Sequence, residues 1–186
     1  MSVALDGKSD AWIIELFENC KNIIVLGCSN NPEEKPFGTE PRYLHETGRF
    51  KIWPINKSGE RYPVFDEEVQ PSLRALLAKR PQLGRSSIIY VLNTDESPTS
   101  ILSTAAMNNC QSVWFFPESI DSKDVPSVQE AADKKIVPNV IISRSMKEEF
   151  HRLLAHSNRK HIQGYDTTEQ TEASGISVEP RKRQHK

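Results

Sequence analysis

The stretch "NIIVLGC", Asn22 to Cys28, narrows the possible folds more than any other part of the chain. Its apolar residues are consecutive and partly β-branched, with no polar alternation. Such a strand is covered on both faces, which is the condition of a strand inside a parallel sheet. Parallel neighbours need crossover connections, and the flanking sequence supplies helical patterns for them. Before the run, "SDAWIIELFENCKN" places Trp12, Ile13, Leu16, Phe17 and Cys20 at helical spacing, with Ser9 or Asp10 as the N-cap. This predicts a helix over residues 10–20, expected to pack on an edge of the fold.

The alternation continues to the end of the patterned region. A helix is predicted from about Thr39 to Glu46, with Thr39 as cap, Pro41 in the first turn and Gly48 as the stop. A strand in "RFKIWPIN" ends near Pro54, followed by a short strand "YPVF" and a helix "DEEVQPSLRALLAKR". Next come the strand "SSIIYVLN", a helix opened by the Ser97 cap with Pro98 at its first position, and the strand "SVWFFP". The helix "VPSVQEAADKK", the strand "VPNVIIS" and the helix "MKEEFHRLLA" complete the series. Strands alternating with helices of about ten residues predict an α/β, Rossmann-like three-layer fold with a mostly parallel five-stranded sheet and right-handed crossovers. Residues 1–155 are assigned to this domain. Residues 156–186 are polar, poor in aliphatics and aperiodic, and are expected to form a disordered tail with the basic end "PRKRQHK".

Composition removes several function classes. The net charge of −1 and pI near 6.5 provide no global basic field, so nucleic acid is not an expected partner. No apolar run approaches the length of a bilayer span and no signal-peptide pattern opens the chain, so a cytoplasmic protein is expected, with the basic tail also compatible with the nucleus. Cys20, Cys28 and Cys110 have neither zinc-site spacing nor the look of a secreted disulfide framework, and free thiols are expected. No metal site is expected.

In open α/β sheets ligands bind at the carboxyl ends of strands beside the point where strand order reverses. The turn "GCSNNPEEKPFG" would lie there. Gly27 permits close backbone approach, and the amides of Cys28, Ser29 and Asn30, ahead of the next helix, could hold a phosphate. The second and third glycines of a dinucleotide fingerprint are replaced by Ser29 and Pro32. There is no P-loop ending, and no G-x-S-x-G elbow with a histidine base among His45, His151, His156, His161 and His185. No catalytic residue is therefore assigned. Cys28 could have a depressed thiol pKa near these amides, but an inert structural thiol is the preferred reading. At the end of the second strand an NAD site places an acid, but here Asn56 and Lys57 stand, and a lysine suits a phosphorylated ribose, as in CoA or NADP. Trp12, Trp53 and Trp114 read as core rather than as adenine-stacking residues. Glu148 and Glu149 read as the solvated face of the last helix.

These segments resemble a known family. The G-x-S-x-x-P turn (Gly27, Ser29, Pro32), the helix end Tyr43, Leu44 and Gly48, the corner Pro54 and Asn56, and Trp114 of the fourth strand are similar to the small stand-alone CoA-binding proteins. Their fold is that of the CoA-binding domain of the succinyl-CoA synthetase α subunit. The resemblance covers about residues 8–154. It implies that Gly27, Ser29 and Asn30 border the pyrophosphate, that Asn56 and Lys57 meet the adenosine end, and that Leu92, Asn93 and Thr94 close the site; the turn reading adds the Cys28 amide to this set. The chain departs from the family pattern at Lys57, Asn93, Phe116, Glu118 and Ser143 to Ser145. The reading is non-catalytic binding of CoA or an acyl-CoA, with a small-molecule partner, no membrane, and room for a homodimer or a protein partner. Two alternatives stay open: a protein-interaction or regulatory module with a degenerate site, and an NADP-dependent oxidoreductase.

Overall fold

The structure, a computed structural model, describes residues 9–31, 33–57, 63–134, 136–137, 139–142 and 144–163, with side chains in the last helix described to Leu154. Five strands form one sheet: β1 (Asn22–Leu26), β2 (Lys51–Ile55), β3 (Ser87–Val91), β4 (Ser112–Phe115) and β5 (Val140–Ile142). Their order is β2-β1-β3-β4-β5 and every pairing is parallel, so the sheet is wholly rather than mostly parallel.

Side chains alternate across each strand and so divide the core into two layers. Ile24 and Leu26 of β1 pack with α3 (Leu73–Lys79), α4 (Pro98–Met107) and α5 (Val125–Asp133). Ile23 and Val25 face the opposite layer of α1 (Asp10–Asn19), α2 (Thr39–Glu46) and α6 (Met146–Gln163). Helix α1 is thus not an edge element. Phe17 stacks on Trp114 of β4 at 5.7 Å between centroids and meets Phe150 of α6 edge-on at 5.4 Å. These two aromatic contacts anchor the helix over β4, an interior strand of the sheet, and against α6.

Local chemistry explains the element ends. Ser9 caps α1 by accepting from the Trp12 amide, Ser72 caps α3 and Ser97 caps α4. The cap of α2 is Gly38, without a side-chain bond, and Thr39 is the first helical residue instead. Gly48 ends the α2 segment at φ +68°. Helix α3 begins only after Pro71, so "DEEVQ" is not helical. Of the expected strand "YPVF", Tyr62 lies outside the described residues and Pro63 to Phe65 form no strand: Val64 and Glu67 exchange backbone hydrogen bonds of 3.0 and 3.1 Å as an isolated antiparallel bridge. Phe65 and Asp66 between them both have positive φ, the conformation of a two-residue hairpin turn. Pro54 is accommodated because β2 is an edge strand whose outer side meets Gln70: the Gln70 amide donates to the Pro54 carbonyl, and no N–H is required there.

Helix α6 continues to Gln163, past the boundary expected at 155. The basic tail end and the first eight residues lie outside the described residues, as do Pro32 and Ser143. No helix is long and apolar enough to cross a membrane among the described residues.

Candidate functional site

The order β2-β1-β3 places the reversal of strand order at β1, and the carboxyl ends of these three strands surround a cavity of about 390 Å³. Of the expected site residues, Gly27, Asn56, Lys57, Asn93 and Thr94 line it. Pro71 and Ser72 at the start of α3 form part of the wall, and Asp95 and Glu96 complete the side contributed by the loop after β3. These four lie outside the set expected from the sequence. Asp95 and Glu96 directly follow Thr94 in "NTDESP", so their signal was adjacency to an assigned residue; nothing local brings Pro71 and Ser72 there.

The first turn is held by the protein itself. Gly27 leaves β1 at φ +80°, its amide donating to the Ile55 carbonyl at 2.9 Å. A Cβ at this position would sit 2.3 Å from the Asn93 carbonyl oxygen and 2.7 Å from its nitrogen. The close approach that requires glycine is therefore to the loop after β3. The Leu92 and Asn93 amides both donate to the Leu26 carbonyl and close the same junction. Two of the three amides expected to hold phosphate are occupied: Cys28 N donates to Ile55 O at 3.3 Å, and Ser29 N to Phe37 O at 3.0 Å. The Cys28 side chain is buried in the α1/α2/α6 layer, and its carbonyl accepts from Asn56 Nδ2 at 3.0 Å. Leu92 is buried in that same layer and does not line the cavity.

Ser29 and Asn30 lie elsewhere. They border a separate cleft of about 290 Å³ between α2 and the hairpin turn, with Arg42, His45 and Phe65. The Ser29 hydroxyl donates to the Glu34 carboxylate and accepts from the Asn31 amide. The expected set is thus divided between one cavity, one neighbouring cleft and the core.

Among the described residues the charged groups of the cavity are Lys57, Asp95 and Glu96. Lys57 Nζ and Asp95 Oδ2 are 2.5 Å apart, joining the corner after β2 to the loop after β3. The hydrogen bond and charge of each raise the Lys57 pKa and lower that of Asp95, so both are ionised at neutral pH.

Tryptophan stacking finds no place here. Trp114 is buried and donates from Nε1 to the Arg144 carbonyl at 2.7 Å, and Trp53 donates to Asn22 Oδ1 at 2.9 Å. Trp12 lies beside a different cleft near Asn109 and Asn139. Among the departures from the family pattern, Lys57 and Asn93 line the cavity, whereas Phe116 and Glu118 do not. Ser145 has a packing role: its hydroxyl donates to buried Glu40, which also accepts from Tyr90 Oη at 2.9 Å and the Lys147 amide at 3.3 Å. Glu149 is a correction too. It is buried rather than solvated, paired with Arg144 at 3.0 Å and Arg152 at 2.7 Å. Burial raises its pKa, but the hydrogen bonds from Arg152 and Arg144 outweigh that and leave it lowered. Among the described residues no cluster of His, Cys, Asp and Glu is arranged to hold a metal ion.

With this geometry in place, the model of the CoA binding domain family matches residues 21–149. The chain belongs to that family. Two solved structures share the fold. A Thermus thermophilus protein, cell-free ID.343, is 24% identical with a TM-score of 0.64, covering 78% of this chain and 99% of its own. A hypothetical protein from Pyrococcus horikoshii OT3 is 22% identical with a TM-score of 0.60, covering 83% of this chain and 98% of its own. No curated protein matches the chain.

Proposed function

We propose that this protein binds CoA or an acyl-CoA at the carboxyl ends of β1, β2 and β3 and performs no chemistry on it. The observation that carries this reading is the 390 Å³ cavity at the reversal of strand order, with Lys57 at its β2 corner, in a chain of the CoA binding domain family. That volume suits the adenosine end of such a ligand, within the usual range of small-molecule sites of about 300–1,000 Å³. The polar groups around it are amides, hydroxyls, the Lys57–Asp95 ion pair and the Glu96 carboxylate, a set suited to recognition. No neighbouring nucleophile and base are paired among the described cavity residues.

A second reading, a protein-interaction or regulatory module with a degenerate site, is favoured by one specific observation. The Cys28 and Ser29 amides, the natural phosphate donors of the first turn, are bonded to the Ile55 and Phe37 carbonyls. Calorimetric titration with CoA, acetyl-CoA, NADP and NAD separates these readings. The proposal expects heat with CoA or acetyl-CoA, and loss of that heat when Thr94→Trp fills the cavity in a protein with an unchanged circular dichroism spectrum. No heat with any of the four favours the interaction module, and preference for NADP favours the oxidoreductase.

A further inference from the structure

The ion pair over the cavity sets a condition on what can enter it. Lys57 is the one cation among the described residues lining this cavity, and its ammonium is held by Asp95 at 2.5 Å, with Glu96 as a second carboxylate on the same wall. Both partners are exposed, with side-chain exposures of 79% and 76%. An exposed pair has little net strength, so another anion can replace its carboxylate without a large penalty. A phosphate on the ligand's ribose is such an anion: it carries more charge and more acceptor oxygens than a carboxylate. A ligand without that phosphate leaves the pair intact and gains nothing from Lys57.

We propose that Asp95 sets the ligand specificity of this cavity by competing with the ribose phosphate for Lys57. The inference rests on the CoA-binding reading and adds a residue to it. Binding of a phosphorylated ribose moves Lys57 from Asp95 to the phosphate and leaves the Asp95 carboxylate facing a like charge. The native protein therefore draws less advantage from the phosphate than Lys57 alone would provide.

The test compares CoA with dephospho-CoA, which lacks only the ribose phosphate, by calorimetry at constant ionic strength. The readout is the ratio of the two affinities, which a general change in folding or cavity shape does not move. Replacing Asp95→Asn removes the competing charge and preserves size. CoA affinity is expected to rise by about two- to ten-fold, while dephospho-CoA changes by less than about two-fold. Lys57→Met is expected to reduce the native preference for CoA, and in that background Asp95→Asn moves the ratio less than it does beside Lys57. A ratio unchanged by Asp95→Asn, with both ligands still binding, overturns this inference alone. Absence of binding by either ligand to the native protein overturns the CoA reading and this inference with it.

Discussion

Replacing Gly27 by alanine tests whether the junction between β1 and the loop after β3 is as closed as the distances require. Two costs add. A non-glycine residue in the left-handed region at φ +80° costs about 1–2 kcal/mol. The new methyl would also lie 2.3 Å from Asn93 O and 2.8 Å from Asn93 Cβ, and relieving an overlap of that kind with backbone costs about 1–3 kcal/mol more. The total is about 2–5 kcal/mol, a large share of the roughly 5–15 kcal/mol by which domains are stable. At about 2–4 °C per kcal/mol for a chain of this size, a mid-range loss of about 3.5 kcal/mol lowers Tm by roughly 7–14 °C. Gly48→Ala is the internal control: φ is +68°, but nothing lies within 4 Å of the added Cβ, so only the backbone cost of about 1–2 kcal/mol applies. Urea denaturation of both variants isolates the Asn93 contact as their difference. If the two losses agree within about 0.5 kcal/mol, the close junction of Gly27 with Asn93 is refuted.

Three further outcomes follow from the other contacts. Glu40→Ala strands the Tyr90 hydroxyl, the Ser145 hydroxyl and the Lys147 amide in the α2/α6 interface. At about 1–3 kcal/mol per unpaired buried group, partly relieved by water, the loss in urea denaturation should reach about 3 kcal/mol, against less than about 0.5 for exposed Glu46→Ala. The carboxyls of Asp10 and Glu149 have folded pKa values below their ordinary 3.8 and 4.5, so their contribution is present above those values and is lost as pH falls through the folded ones. The urea midpoint should therefore fall on acidification from about pH 5 to 3, and Arg152→Met should flatten that fall; an unchanged slope refutes the linkage. Cys20, Cys28 and Cys110 are all buried, and burial pushes the Cys20 thiol up to about 12 and the Cys110 thiol up to about 11. A disulfide reagent at neutral pH should find no fast thiol in the native protein and three in denaturant, whereas one fast thiol would restore Cys28 as a reactive candidate.

Much of the architecture was legible because it rests on local rules. The apolar run in β1, the serine caps at Ser9 and Ser97, and the glycine stop at Gly48 are properties of neighbouring residues, and they place β1, α1, α4 and the end of α2. The helical pattern assigned to "DEEVQ" did not form, since Pro71 and the Ser72 cap start α3 later and Gln70 pairs with the outer edge of β2. The burial of Glu149 is not legible in the sequence for a related reason. Periodicity marks a face, and only the positions of Arg144 and Arg152 show that a carboxylate can be buried there.

The sequence by itself determined the parallel α/β class, the two apolar faces of the sheet and the strand exit at Gly27, because periodicity, capping and conformational preference act over a few residues. The tertiary structure decided the rest of the site. It brought Asp95 to Lys57 across 38 positions of sequence and set Gly27 against Asn93. Such pairings arise where strands that are distant in the chain end side by side, and no local preference encodes which loop will meet which corner.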